Sequence, residues 1–308
     1  MKCLIVGCGY VGLSLGEELV RQGHEVFGLR RSASAESELK AAGIHTLAGD
    51  VTKPETLAKQ PRKFDWVVNC VAAGGGADNY RQIYLEGNRN LVSWLADSPP
   101  KKFIYTSSTS VYGQKDGSVV TEESPVEPEA DTAKVLVEAE KMLLDESCSR
   151  GRSPHQKFPA AILRVAGIYG PGRGHWFKQF LKGEARIEGD GSRFLNMIHR
   201  DDVAGCIIAA LERGTPGEIY NAVDDEPVTQ LKFFEWLATE LKCPLPALAP
   251  ADKEISRKRG VTNKRVSNAK LRTELKYEFQ FPDFRKGYGA EILRLKHASE
   301  LPIPPVAQ

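Results

Sequence analysis

The chain begins with a strand that runs into a glycine turn. Cys3 to Val6 is a short apolar run, Gly7-Cys8-Gly9-Tyr10-Val11-Gly12 follows at once, and from there Val11, Leu15 and Leu19 recur at helical spacing. A G-x-G-x-x-G pattern says little alone but becomes specific when it joins a strand to a helix inside a strand-helix-strand unit. Gly7 permits the tight turn. Gly9 removes a side chain where backbone must approach a diphosphate, and Gly12 lets the helix close on the strand. The N–H groups that a helix leaves unbonded at its start then face an anion. On this reading Gly7, Cys8, Gly9, Tyr10, Val11 and Gly12 form the diphosphate turn of a dinucleotide site.

A chain that opens this way is expected to continue as alternating strands and helices, and it does. Glu25–Leu29, Ile44–Ala48, Trp66–Val71, Phe103–Thr106 and Ala160–Val165 read as further strands; Trp66–Val71 is continuously apolar from Trp66 to Val68, as a strand covered on both faces should be. Tyr84–Leu95 and Lys134–Leu144 read as helices. The alternation predicts an α/β fold, a Rossmann-type doubly wound parallel sheet. After Gly167 the rhythm changes. Glycine and proline cluster over Gly170–Gly174, a helix is expected over Asp201–Leu211, a strand over Glu218–Tyr220 and a helix over Leu231–Leu241. The predicted organisation is a dinucleotide domain of residues 1–165 plus about 199–222, and a smaller mixed α/β substrate domain of about 166–198 and 223–308.

The end of the second strand sets the cofactor. A carboxylate there would bind a ribose 2′-hydroxyl and repel a 2′-phosphate. The chain instead reads Gly28-Leu29-Arg30-Arg31-Ser32, and guanidinium groups suit bidentate phosphate binding. NADP(H) is therefore expected over NAD(H), with Arg30 and Arg31 on the 2′-phosphate. Asp50 and Val51 follow the third strand, where Asp50 either faces the adenine or caps its own loop. Cys70, Val71 and Ala72 end the fourth strand with small residues against which a flat ligand can lie. Gly74 opens a triple-glycine loop that either borders the substrate or is simply flexible.

Other classes of function find little support. Lys and Arg number 42 against 40 Asp and Glu, a net charge of +2, which is not the balance of a nucleic-acid-coating protein. The basic segment from Lys253 to Lys264 has no interleaved aromatic and reads as a solvated face. No run of about 18 apolar residues is present, so no membrane helix is expected. The six cysteines form no C-x-x-C pair, and a reduced, cytoplasmic protein is expected. The six histidines show no paired ligand spacing, so no metal is expected, and no G-x-S-x-G elbow marks a hydrolase.

Four segments in order carry a family resemblance: the opening turn; Tyr105-Thr106-Ser107-Ser108-Thr109-Ser110-Val111-Tyr112-Gly113; Leu163-Arg164-Val165-Ala166-Gly167-Ile168-Tyr169-Gly170-Pro171-Gly172; and Ile198-His199-Arg200-Asp201-Asp202-Val203-Ala204. Together they resemble the extended short-chain dehydrogenase/reductase superfamily in its NAD-dependent epimerase/dehydratase branch. The resemblance implies a Ser that binds the substrate oxygen, here Ser108, and a Lys that holds the nicotinamide ribose, here Lys134. It also implies a Tyr acid/base four residues before that Lys, but the position is Ala130. Asp131, Tyr112 or Tyr169 are the substitutes the sequence offers for the proton. Alternatively the chain binds the dinucleotide as a non-catalytic sensor or scaffold.

The loop Gly170–Trp176 is expected at the nicotinamide end, with Gly74, Tyr169, Arg173 and His175 as substrate residues. Nucleotide-sugar members of the family carry an Arg four residues before the His of the Ile-His motif. Here that residue is Leu195, which favours a small carbonyl or hydroxyl substrate over a nucleotide sugar. A homodimer through the helices at Tyr84–Leu95 and Lys134–Leu144 is implied by the resemblance alone. The expected partners are thus a small-molecule substrate and a second copy, with neither nucleic acid nor membrane.

Overall fold

The computed structural model describes residues 1–32, 36–148, 157–250 and 261–298. In chain order the first half contains β1 (Lys2–Val6), α1 (Tyr10–Arg21), β2 (Glu25–Arg30), α2 (Glu36–Ala41), β3 (His45–Ala48), α3 (Pro54–Leu57), β4 (Trp66–Asn69), α4 (Ala77–Tyr80), α5 (Gly87–Leu95), β5 (Lys102–Ser108), β6 (Val119–Val120) and α6 (Asp131–Cys148). The second contains β7 (Ala160–Val165), β8 (Gly167–Tyr169), α7 (His175–Leu181), β9 (Phe194–Leu195), β10 (Met197–His199), α8 (Arg200–Arg213), β11 (Ile219–Ala222), β12 (Val228–Thr229), α9 (Gln230–Leu241), β13 (Arg265–Val266), α10 (Ala269–Leu275) and α11 (Phe284–His297).

Seven strands form one sheet in the order β3-β2-β1-β4-β5-β7-β11, and every neighbouring pair is parallel. The chain winds outward from β1 in one direction and from β4 in the other. The reversal between them leaves a crevice at the carboxyl ends of the strands. β4 and β7 are buried along their whole length, as strands with helices on both faces must be. α1 packs against α8 on one face, while α6 packs against the helical stretch before α5 on the other. This is the doubly wound α/β architecture expected.

A second apolar cluster, with Phe177, Phe180, Phe233, Phe234, Phe284 and Tyr288, lies under α7, α9 and α11. Small ladders edge it: β8 with β10, and β9 with β12. Asp202, fully buried in the first turn of α8, ties the chain before α11 to the main body. It accepts from Tyr277 Oη at 2.8 Å, Gln280 N at 2.7 Å and Phe281 N at 2.9 Å.

Two expectations need correction. The helix expected from Tyr84 begins at Ala77, and Arg81–Glu86 is wound wider, as a π segment, before α5. Of the basic segment taken as solvated, residues 253–260 lie outside the described residues, but Lys264 is buried. Its Nζ donates to the Tyr112 carbonyl and to Thr262 Oγ1, both at 2.8 Å, and burial pushes its amine down to about 8.

Candidate functional site

A cleft of about 660 Å³ opens at the sheet's reversal point, within the size range of small-molecule and cofactor pockets. The end of β1 delivers the glycine turn to it. Gly7 sits at φ +82°, and a Cβ there would meet Val71 N at 2.7 Å and Val71 Cα at 2.8 Å. Gly9 differs: among the described residues the only atom near its missing Cβ is Gly7 O at 4.0 Å. The space above Gly9 is a cradle that a side chain would fill, and the unbonded amides at the start of α1 adjoin it. These residues fit a dinucleotide diphosphate. Gly7, Gly9, Tyr10 and Val11 line the cleft; Gly12 instead packs on β1, where its Cβ would meet Ile5 Cγ2 at 3.0 Å. The Cys8 side chain is wholly buried, and burial pushes its thiol up to about 12. It contributes backbone to the turn and no nucleophile.

At the end of β2, Arg30, Arg31 and Ser32 line the cleft. Arg30 Nη1 lies 3.1 Å from Glu38 Oε2, an exposed pairing. Asp50 and Val51 border the same end. One Asp50 oxygen accepts from Thr52 N at 2.9 Å and Thr52 Oγ1 at 2.8 Å, so the carboxylate caps its own turn while lining the cleft. Cys70, Val71 and Ala72 form the floor beyond β4. Thr106, Ser107 and Ser108 come from the end of β5, and Val165 to Ile168 from the end of β7. Of these, only Ser108 was singled out from sequence. Thr106, Ser107 and Val165–Ile168 carry a usable signal, because they end or directly follow a predicted strand and ligands gather at strand ends.

The nicotinamide end departs from expectation. Lys134 is not among the cleft residues. Its side chain is 54% exposed and its Nζ bonds Asp131 Oδ1 at 2.9 Å. The phase of α6 explains this. Thr132, Ala133, Val135, Leu136, Ala139, Glu140 and Leu143 are buried, which turns Lys134, Glu138 and Lys141 outward. The phase is anchored by a buried ion pair, Arg164 Nη2 to Glu140 Oε2 at 2.7 Å, with both side chains under 5% exposed. Ser107 Oγ also donates to Glu140. Arg164 Nη1 reaches Tyr112 Oη at 2.9 Å, and Tyr112 Oη donates to Asn221 Oδ1 at 2.8 Å.

The three substitute proton donors do not reach the cleft. Asp131 is exposed beside Lys134. Tyr112 is locked in the network just described, and burial raises its phenol against the pull of Arg164. Tyr169 is buried in the second core, stacked on Tyr288 at 4.3 Å, and burial drives its phenol far above the ordinary range. Tyr169 is therefore packing rather than a substrate contact. Gly74 is exposed and its carbonyl accepts from Asn79 Nδ2 at 2.6 Å, and His175 is exposed at the start of α7; neither lines the cleft. Arg173 does line it.

Among the described residues no group of His, Cys, Asp and Glu is arranged to hold a metal ion, and no helix is long and apolar enough to cross a membrane. The model of the NAD dependent epimerase/dehydratase family matches residues 3–222. Protein YeeZ of Escherichia coli is 29% identical over 295 residues, 92% of this chain and 97% of that one. The 2-alkyl-3-oxoalkanoate reductase of Shewanella oneidensis is 27% identical over 245 residues, 74% of this chain and 63% of the reductase. A solved structure from Methylobacillus flagellatus, provisionally assigned as an NAD-dependent epimerase/dehydratase, is 34% identical. It covers 96% of this chain and 98% of its own, with a TM-score of 0.74.

Proposed function

Since the chain belongs to the NAD-dependent epimerase/dehydratase family, whose members are nicotinamide-dependent enzymes, we propose that it is an NADP(H)-dependent oxidoreductase acting on a small carbonyl or hydroxyl compound. The observation that carries this reading is the pair Arg30 and Arg31 lining the cleft at the end of β2, where a ribose-reading carboxylate would otherwise stand. The α1 amides and the cradle over Gly9 hold the diphosphate, and Val71 and Ala72 give a flat floor. When bound, the cofactor supplies hydride chemistry at its nicotinamide. Ser108, at the carboxyl end of β5, orients the substrate oxygen. The relative that reduces 2-alkyl-3-oxoalkanoates supports a carbonyl substrate. Leu195, buried in the second core, offers no guanidinium to a nucleotide sugar.

A second reading is a non-catalytic NADP(H) binder. It is favoured by Ala130 together with the outward Lys134, which leave the cleft without a phenol–ammonium pair. Calorimetry with NADPH and NADH tests the cofactor: tighter NADPH binding is expected, and Arg30→Gln should remove the difference. Absorbance of the reduced nicotinamide over a panel of small carbonyl compounds tests catalysis. Turnover that Ser108→Ala slows is expected; tight NADPH binding with no turnover across the panel establishes the second reading. A thermal shift with UDP-sugars but not with small carbonyls would instead revive a nucleotide-sugar substrate.

A further inference from the structure

The loop between β8 and α7 brings a guanidinium to the glycine turn. Gly170 and Arg173 bond each other through both backbone groups, Gly170 N to Arg173 O at 3.1 Å and Arg173 N to Gly170 O at 2.9 Å. This tight turn is fixed from outside: Tyr10 Oη donates to Pro171 O at 3.1 Å, and Gly172 N donates to Glu291 Oε1 at 3.0 Å. Arg173 sits at its corner with its guanidinium 5.0 Å from the Tyr10 ring centroid. Arg200 approaches the same ring at 5.2 Å.

The two cations differ in what answers their charge. Arg200 Nε bonds Asp201 Oδ1 at 2.9 Å. For the Arg173 side chain, the Tyr10 ring is the one polar or electrostatic contact found among the described residues. Tyr10 is the first residue of α1 and belongs to the diphosphate turn. That turn contains no Lys or Arg, and the helix start contributes only about half a positive charge against two phosphates. Arg30 and Arg31 stand at the other end of the cleft, beyond β2.

We propose that Arg173, held over Tyr10 by the β8–α7 loop, is the side-chain clamp on the diphosphate of the bound dinucleotide. Arg173 is thus a cofactor residue reaching in from the second core rather than the substrate residue expected from sequence. The inference rests on the proposed dinucleotide function, and its test separates the two. Wild type and Arg173→Gln are titrated calorimetrically with NADPH, NADH, ADP-ribose and adenosine 2′-phosphate. Losing a charge-assisted hydrogen bond to phosphate should weaken the three diphosphate ligands in parallel, by about tenfold, and leave adenosine 2′-phosphate unchanged. Arg173→Lys should recover part of the loss. The unliganded variant should melt close to wild type, since among the described residues the Arg173 side chain makes no hydrogen bond and loses only its exposed contact with the Tyr10 ring. Unchanged dinucleotide affinity, or a shift in substrate KM alone, overturns the clamp while leaving the proposed function standing. Wild type that binds neither NADPH nor NADH overturns both.

Discussion

Two glycines of one turn should respond to the same substitution in opposite ways. In Gly7→Ala the new methyl meets backbone, Val71 N at 2.7 Å and Cys70 C at 2.9 Å, at a residue with φ +82°. The left-handed backbone costs about 1–2 kcal/mol for a residue with a Cβ, and an overpacked contact that cannot relax adds about 1–3 kcal/mol. A loss of roughly 2–5 kcal/mol is therefore expected, a large part of a typical domain's roughly 5–15 kcal/mol. In Gly9→Ala the methyl finds only Gly7 O at 4.0 Å, so the unliganded protein should stay within about 1 kcal/mol of wild type. Its cost should fall on the ligand, because the methyl occupies the space proposed for the diphosphate. Urea denaturation with and without NADPH reads both effects. At a ligand concentration about 100-fold above Kd, NADPH should stabilise wild type by about 2.7 kcal/mol, and a tenfold loss of affinity cuts that to about 1.4 kcal/mol. Gly7→Ala as stable as wild type would refute the turn geometry. Gly9→Ala with undiminished NADPH stabilisation would refute the approach of a diphosphate to this backbone.

The other expectations are briefer. Lys134→Ala should leave NADPH and NADH dissociation constants within about twofold, since among the described residues the side chain bonds only Asp131 at the surface; a tenfold loss in calorimetry would restore it as a ribose ligand. Glu140→Gln strips the partner from a buried guanidinium and should cost about 3–5 kcal/mol in urea denaturation; a change below about 1 kcal/mol would show that α6 is phased by its apolar face alone. Burial, reinforced by Asp225, Asp283 and Glu226 and opposed by the Glu226 amide, drives the Asp224 carboxyl well above its ordinary value. Such an acid favours the folded state below the unfolded value near 3.8 and progressively loses that contribution as pH rises. Asp224→Asn should therefore gain stability over wild type by up to about 1.4 kcal/mol per pH unit, read from melting curves at pH 5 and 7; an equal difference at both would exclude the buried acid.

The sequence announces what is local. A turn that needs Gly7, and a run such as Trp66–Val68 that must be covered on both faces, are written in consecutive residues, and they were enough to predict a parallel doubly wound sheet. What was not legible depends on residues far apart. Glu140 and Arg164 belong to different segments, and no spacing rule pairs them, yet their ion pair holds α6 in register. Lys264 looked like one cation of a solvated run because its acceptor, the Tyr112 carbonyl, is 152 residues away. The π segment at Arg81–Glu86 follows neither the helical nor the strand period, so the start of that helix was placed too late.

Lys134 shows a different limit of the sequence, because the structure turns it away from the cleft. A motif match around one lysine fixes position along a helix without fixing which way the helix faces. The phase was available in the same segment: Ala133, Leu136, Ala139, Leu143 and, between them, Val135 recur at three- and four-residue steps. That stripe must face the sheet, and Lys134 lies about 100° of rotation from each chain neighbour, off its centre, with Glu138 and Lys141 on the same outward side. The apolar period directs Thr132 and Leu136 inward, and both are buried. The outward Lys134 stands beside Ala130 as a second departure from the proton relay that the resemblance implies.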